Sequence, residues 1–215
     1  MVTLYNPDNM RKERIEQAES ILKSLPFKYC FITGSFLFKE KYKDIDLFII
    51  TRSKKEINPA KINKKLKITI IDFNDLYSLF YHSVSKSCVA KNILPKRELK
   101  ATLADYWGII NEAVPTILNQ KDRFHKDIRY LILYTEYFRS SQILDTHELN
   151  KKISEFKNNS QILDYISKNT PEIITKNANI SYIKRFFYTQ AGFYKDSSYK
   201  AQRLLYELTH SIING

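Results

Sequence analysis

A glycine at the end of an apolar run is the feature that most constrains how this chain folds. Gly34 is the only glycine before Gly108, and it directly follows the apolar segment 29–33. Glycine readily adopts backbone angles that other residues avoid, so this placement predicts a tight turn. Because Ser35 and the apolar segment 36–38 come next, we expect a strand, a turn and a short helix.

Two aspartates, Asp44 and Asp46, follow that turn after an eight-residue spacer. The run 45–51 is rich in isoleucine and predicts a strand that is buried on at least one face. Side chains alternate along a strand, so the two carboxylates are expected on one face, about 6 to 7 Å apart. Like charges at that distance raise each other's pKa unless a cation lies between them, and Mg²⁺ prefers such oxygen ligands.

The turn at Gly34 and Ser35 predicts the other half of a phosphate-handling site. A turn that opens a helix presents backbone N–H groups and the positive end of the helix dipole, and the Ser35 hydroxyl adds a donor. Hydrogen-bond donors that hold a phosphate, next to carboxylates that bind a metal, favour phosphoryl or nucleotidyl transfer. The alternative is an ordinary Gly-Ser turn beside an edge strand whose Asp residues face solvent, although Asp is disfavoured in strands.

These residues together resemble the signature of the polymerase β-type nucleotidyltransferase superfamily, near its minimal nucleotidyltransferases. The resemblance rests on Gly34-Ser35, the spacer, Asp44-Ile45-Asp46-Leu47 and the order of predicted elements, and it covers about the first 90 residues. It implies that Gly34 and Ser35 bind the triphosphate of an NTP. It also implies that Asp44 and Asp46 hold Mg²⁺, or Mn²⁺, as the metal cofactor.

The third carboxylate that such enzymes usually carry on a following strand is ambiguous here. The candidate strand 66–73 has one acidic residue, Asp72, whereas alignment of its end with the usual pattern places Thr69 at the catalytic position. Thr69 and Asp72 face opposite sides of a regular strand. We therefore expect either that Asp72 is a catalytic residue and metal ligand through a shifted register, or that the third ligand is missing. The other role for Asp72 is to cap a helix that starts near Asn74.

Positive charge is concentrated in the first part of the chain. Residues 1–100 contain 20 Lys and Arg against 11 Asp and Glu, a net +9 of the total +12. The densest basic stretch, Arg52 to Lys67, directly follows the predicted catalytic strand. A basic flank attracts polyanions, which favours a nucleic-acid partner, RNA in particular. A solvated lysine-rich surface is the alternative.

Several broad classes are disfavoured by composition. No apolar run approaches the length needed to span a bilayer, and charged residues follow soon after Met1, so no membrane association and no secretory signal are predicted. Cys30 and Cys88 lack the spacing of a metal site and are expected to be core thiols. The expected location is the cytoplasm.

The pattern becomes helical from about Pro95. We predict an α/β (α+β) nucleotidyltransferase domain with a small mixed sheet over residues 1–94, and a mostly α-helical bundle over 95–215. One helix is predicted in the first domain, over about 7–24. The helices predicted in the second domain span 98–119, 125–144, 147–157, 160–167, 181–194 and 198–213. Pro115 is expected to kink or break its helix near the end, and Pro171 is expected to open a further helix.

Two motifs in the last part of the chain bear on function. The segment 182–188 alternates aromatic and basic residues, which suits base stacking and phosphate contact, although an amphipathic helix with an aromatic core is favoured. Arg203 and His210 lie seven residues apart, which is reminiscent of helical ribonucleases of the HEPN group. They fall within one predicted helix, and such ribonucleases need a dimeric composite site, so that assignment is disfavoured.

The sequence therefore predicts an Mg²⁺-dependent nucleotidyltransferase that moves a nucleoside monophosphate from an NTP to an acceptor, with RNA favoured and tRNA one target. One alternative is a catalytically degenerate nucleotidyltransferase fold that binds nucleotide or RNA, or pairs with a protein partner as in toxin–antitoxin modules. Another is transfer to a small molecule, such as an antibiotic, or to a protein side chain. The base, the acceptor and the oligomeric state stay open.

Overall fold

The protein divides into two compact units. The computed structural model describes residues 1–52 and 66–177, together with Arg203 and Glu207. The first unit comprises residues 1–100 and the short segment 144–148. The second unit comprises residues 101–143 and those from Leu149 onward. The predicted helices over 181–194 and 198–213 and the segment 182–188 lie outside the described residues, apart from Arg203 and Glu207.

A five-stranded mixed sheet forms the centre of the first unit. Its order is β1-β5-β2-β3-β4, and β3 pairs with β4 in parallel whereas the other neighbours are antiparallel. The strands are β1 (Val2–Tyr5), β2 (Tyr29–Thr33), β3 (Ile45–Thr51), β4 (Leu66–Asp72) and β5 (Cys88–Lys91). The prediction of a mixed α+β architecture with a small mixed sheet is confirmed.

Both faces of the sheet are covered, which is why β3 carries a nearly continuous apolar run. On one face Ile45, Leu47 and Ile49 join a core that includes Ala18 and Leu22 of the helix α1 (Lys12–Ser24). On the other face Phe48 and Ile50 pack in a second core with residues of the helix α3 (Leu79–Val84), and Phe31 stacks on Phe48 at 4.9 Å. Asp46 belongs to this second face because side chains alternate along the strand.

Helix α1 is shorter than the predicted helix over 7–24. A 3₁₀ turn occupies Pro7–Asn9, and the chain becomes extended at Met10 and Arg11 before α1 begins. Asn6, immediately before the turn, has a left-handed backbone, with φ of 44°. The remaining helix of this unit, α2 (Ser35–Phe38), follows the Gly34 turn as predicted.

Four helices make up the described part of the second unit: α4 (Leu103–Leu118), α5 (Lys126–Ser140), α6 (Thr146–Ser154), whose first turn belongs to the first unit, and α7 (Asn159–Asn177). Their core contains Tyr106, Trp107, Leu131 and Ile162, all nearly inaccessible to solvent. Helix α4 starts at a capping box in which the Thr102 hydroxyl accepts the N–H of Asp105. None of the described helices is long and apolar enough to cross a bilayer.

Two prolines do not interrupt their helices. Pro115 lies inside α4, which continues to Leu118. Pro171 lies inside α7, so the prediction that it opens a separate helix is wrong. An internal proline costs about 3 kcal/mol. Burial of Ile166, Ile173 and Ile174 on either side of Pro171 offsets that cost and keeps one continuous helix.

The segment 144–148 is bonded to the first unit by buried polar groups. Ser83 Oγ donates to the carbonyl of Leu144 at 2.6 Å, and Ser87 Oγ donates to Asp145 Oδ2 at 2.5 Å. Asp145 also accepts the N–H of Glu148 at 2.8 Å, and Glu148 accepts the N–H of Asp145 at 2.8 Å. This reciprocal pair caps the start of α6, and Glu148 additionally pairs with Lys86 at 2.7 Å.

We predict that Asp145→Ala lowers the free energy of unfolding by about 2 to 4 kcal/mol. The substitution removes a helix cap and leaves the buried Ser87 hydroxyl without its acceptor. Urea denaturation followed by circular dichroism measures the change. Glu155→Ala is the control, because Glu155 is 55% exposed and makes a surface ion pair with Lys152, worth about 1 kcal/mol at most. Equal stability of the two variants would contradict the structural role of Asp145.

Candidate active site

The Gly34 turn has a backbone conformation that few residues other than glycine adopt. Its φ is +82° and its ψ is −165°, between the end of β2 at Thr33 and the start of α2 at Ser35. The Gly34 carbonyl accepts the N–H of Leu37 at 3.1 Å, and the Ser35 carbonyl accepts the N–H of Lys39 at 2.8 Å. The predicted strand, turn and short helix are therefore present.

The carboxylate of Asp46 lies directly against Gly34. Strands β2 and β3 pair so that Thr33 is opposite Asp46, which brings the aspartate to the end of β2 where the turn begins. A Cβ atom at position 34 would lie 2.5 Å from Asp46 Oδ2 and 3.4 Å from its Cγ. Glycine is thus required at position 34 both for its φ and for the space that the carboxylate occupies.

Asp44 lies just outside the strand that carries Asp46. Strand β3 begins at Ile45, and Asp44 is a half-exposed residue of the preceding segment. The alternation that predicted a common face for the two aspartates holds only within a strand. The structure therefore places Asp44 and Asp46 at the same end of β3, with Asp46 against the turn and without strand geometry to fix the separation of their carboxylates.

Asp72 is far from this turn. The parallel register of β3 and β4 places Asp72 opposite Thr51, whereas Asp46 is opposite Lys67. The offset of five residues corresponds to about 16 Å along the strand, and Asp72 also points to the opposite face of the sheet. The structure does not bring Asp72 together with Asp44 and Asp46, in contrast to its predicted role as a metal ligand.

The side chain of Asp72 caps a short 3₁₀ turn instead. Its Oδ1 accepts the N–H of Asn74 at 2.8 Å, and Asp75 Oδ2 accepts the N–H of Asp72 at 3.2 Å. These two bonds form a capping box at the start of the turn Phe73–Asp75. The alternative role considered for Asp72, a helix cap near Asn74, is the one that the structure shows.

The residue of β4 that lies opposite Asp46 is Lys67, so a lysine and not a third metal-binding carboxylate is next to Asp46. Its ammonium lies 3.7 Å from Asp46 Oδ1, and the two side chains are 65% and 30% exposed. Thr69 is opposite Phe48 and therefore on the same face as Asp46. From the sequence, Lys67 is one lysine of the basic stretch 52–67 and has no other predicted role. Its spacing of two residues from Thr69 was the signal that places both on one face of β4.

An arginine holds the loop between the turn and the aspartates. The Arg14 guanidinium lies 4.5 Å from the ring centre of Tyr42 and 5.3 Å from that of Phe36. Arg14 also donates to the carbonyl of Glu40 at 3.2 Å. These contacts tie the loop to α1 and α2. Sequence reasoning missed Arg14 because no local pattern connects it to residues 22 or more positions away.

The loop held by Arg14 is positively charged. Lys39, Lys41 and Lys43 are all exposed and lie between the Gly34 turn and Asp44. Exposed ammonium groups near a phosphate site raise the local concentration of anions, and the effect falls with salt. The site thus combines backbone donors, two carboxylates and a cationic loop.

Burial makes both cysteines of the first unit weaker acids than a free thiol. Burial raises the pKa of Cys30, on the strand that leads to the turn, to about 11, and it raises the pKa of Cys88 as well. Both cysteines are buried and form no disulfide, which confirms them as core thiols. Within residues 1–52 and 66–177, no three His, Cys, Asp or Glu side chains form a group able to hold a metal. Asp44 and Asp46 are oxygen donors that suit Mg²⁺ when phosphate oxygens and water supply its other ligands.

Comparison with known proteins adds no relative. No family model, no curated protein and no solved structure matches the chain. The resemblance to nucleotidyltransferases therefore stands as a hypothesis based on the turn and its aspartates.

Of the basic stretch 52–67, the structure describes Arg52, Leu66 and Lys67. The rest of that stretch and His210 lie outside the described residues.

We predict that Gly34→Ala lowers the free energy of unfolding by about 1 to 3 kcal/mol, because it combines an unfavourable φ with a clash against Asp46. Gly108→Ala is a matched control in helix α4. A Cβ atom at position 108 meets nothing within 4 Å, so this change should raise stability by about 0.5 to 1 kcal/mol. Thermal and urea unfolding measure both. A neutral Gly34→Ala substitution would contradict the contact between the turn and Asp46.

Proposed function

We propose that the protein is an Mg²⁺-dependent nucleotidyltransferase of the polymerase β type. The observation that carries this proposal is the contact between the Gly34 turn and the Asp46 carboxylate. A turn that binds phosphate and a carboxylate that binds a cation are useful together only when one ligand carries both, as an Mg²⁺–NTP complex does. The cationic loop over 39–43 supports the same assignment.

Each part of the site has a role in the proposed reaction. The backbone N–H groups and hydroxyl at Gly34 and Ser35 orient the β and γ phosphates of the NTP. Asp44 and Asp46 would hold Mg²⁺, which neutralises charge on the triphosphate and aligns the α-phosphorus when bound. The acceptor hydroxyl forms a new bond to that phosphorus, the bond to the bridging oxygen of the β-phosphate breaks, and pyrophosphate leaves. A site carboxylate, Asp44 or Asp46, accepts the proton of the hydroxyl.

RNA is the favoured acceptor. The net charge of +9 within residues 1–100 and the density of lysine in the sequence over 52–67 suit a polyanionic acceptor. A tRNA is one such target. A small alcohol such as an aminoglycoside, or a protein side chain, is the acceptor to test if RNA is not labelled.

Lys67 favours a second candidate function. In this alternative the protein is a degenerate nucleotidyltransferase fold that binds nucleotide or RNA without catalysis, or that pairs with a protein. The ammonium near Asp46 already supplies a positive charge, and neither residue 67 nor residue 69 is acidic. The ion pair is largely exposed, however, and such pairs are worth about 0 to 1 kcal/mol. Mg²⁺ can displace it at little cost, so the pair alone does not exclude catalysis.

The test measures transfer of label from each α-³²P NTP to total RNA, protein or small alcohols in the presence of Mg²⁺ or Mn²⁺. We predict that Asp46→Asn and Asp44→Asn reduce transfer at least ~100-fold, because each substitution removes a charged metal ligand. Asp72→Asn is the matched control. It makes the same chemical change about 16 Å away and keeps a residue that caps well, so transfer should stay within about threefold of the unmodified protein.

Two results would redirect the assignment. Equal loss of transfer in Asp72→Asn and Asp46→Asn would contradict the observed register of β3 and β4. Thermal stabilisation by NTP that requires Mg²⁺ and disappears in Asp46→Asn, without transfer to any acceptor, would indicate the noncatalytic module.

A further inference from the structure

The second unit contains a groove of about 660 Å³ that the proposed reaction does not use. It is bordered by the end of α4, the loop that follows it and the start of α7. Leu118 and Leu163 are partly exposed and provide apolar surface next to the buried Ile117, and Lys121, Arg123 and Lys157 provide three positive charges. Among the described residues that line the groove, none is Asp or Glu.

Hydrogen bonds between its borders hold the groove in shape. The Asn159 amide donates to the carbonyl of Lys121 at 3.0 Å and to that of Ile117 at 3.3 Å, which ties the start of α7 to the end of α4. Arg123 Nη1 donates to the carbonyl of Phe156. That bond orients the guanidinium, which has five N–H donors in all, and leaves others to meet a ligand. The groove is therefore formed before any ligand arrives.

Two acidic residues, Asp122 and Asp164, directly adjoin groove residues in sequence, and neither lines the groove. Asp122, between Lys121 and Arg123, accepts the N–H of Phe124 at 3.0 Å and does not line the groove. Asn158 accepts the N–H of Gln161 at 3.0 Å, as a residue before a helix commonly does. Lys121 and Lys157 are both exposed. The groove thus has a positive rim that solvent ions and ligands reach freely.

We propose that this groove binds nucleotides of a single-stranded RNA. Its volume lies within the range of pockets that hold small organic ligands, about 300 to 1,000 Å³, and is larger than one phosphate requires. The apolar side chains suit a base or ribose, and the lysines and arginine suit the phosphates on either side. An acidic peptide would use the charges but would not use the apolar floor.

The binding itself is independent of catalysis in the first unit. The role of the groove in holding the RNA acceptor rests on the proposed function, whereas its affinity for RNA does not. RNA binding and nucleotidyl transfer can therefore fail separately, and the experiment measures binding alone.

The experiment follows the fluorescence anisotropy of a labelled single-stranded RNA of about 12 nucleotides as the full-length protein is added. We predict that Lys121→Glu/Lys157→Glu weakens binding at least ~10-fold at about 0.1 M salt, since two phosphate contacts become repulsive. The dependence of log K on log salt should become shallower by about 1.4, the value for two contacts to a single strand. Arg123 is left unchanged because its bond to Phe156 is structural.

Lys151→Glu/Lys168→Glu is the matched control, since it makes the same change in net charge at two exposed helical positions outside the groove. Its affinity for RNA should stay within about threefold of the unmodified protein, because charges outside the groove act only through screened solvent. Circular dichroism and melting temperature verify that every variant is folded.

Equal weakening by the two charge-reversal pairs would overturn the proposal, because it would show a general effect of net charge. Unchanged RNA affinity in the groove variant would overturn it as well. Titration with polyglutamate tests for an acidic-peptide site. If the groove variant loses affinity for polyglutamate and keeps its affinity for RNA, the groove binds acidic peptides and the proposal is wrong. If AMP displaces the labelled RNA as strongly as unlabelled RNA does, the groove binds free nucleotides, which would contradict the proposal that it binds an RNA strand.

Discussion

The close approach of the Asp46 carboxylate to Gly34, which leaves no room for a Cβ atom, is the interaction on which the rest of the candidate site depends. It joins a backbone turn, formed where β2 ends, to a charged group on β3. Without this approach the sheet would still form, but a phosphate at the turn and a cation at the carboxylate would not be neighbours. Burial of both faces of β3 keeps the strand in register, and the register fixes the contact.

The turn, the short helix and the mixed sheet were predictable because local rules determine them. Gly34 interrupts an apolar run, and the alternation within 45–51 already separates Asp46 from Ile45 and Leu47. Asp44 illustrates the limit of that rule, since it applies only inside the strand and β3 starts one residue later. Helix boundaries shifted for similar reasons, as at Pro171, where tertiary burial of isoleucines outweighs a local preference.

The partners of the site were not predictable from the sequence. Asp72 and Lys67 are separated by only four residues within β4, and their positions relative to Asp46 depend on a parallel register that spacing does not reveal. Arg14 reaches the loop at Glu40 and Tyr42 only because α1 and α2 come together in the folded unit. Long-range pairings of this kind are set by packing of the whole unit.

The segment 144–148 makes the first unit discontinuous along the chain. Its buried bonds to Ser83 and Ser87 lie close to the strand β5, and the Ser87 carbonyl in turn accepts the hydroxyl of Thr33, the residue before the Gly34 turn. During synthesis residues 1–100 are made before Asp145 is added to the chain. The first unit therefore completes its hydrogen bonding only after two helices of the second unit, α4 and α5, have emerged, which couples the maturation of the two units during translation.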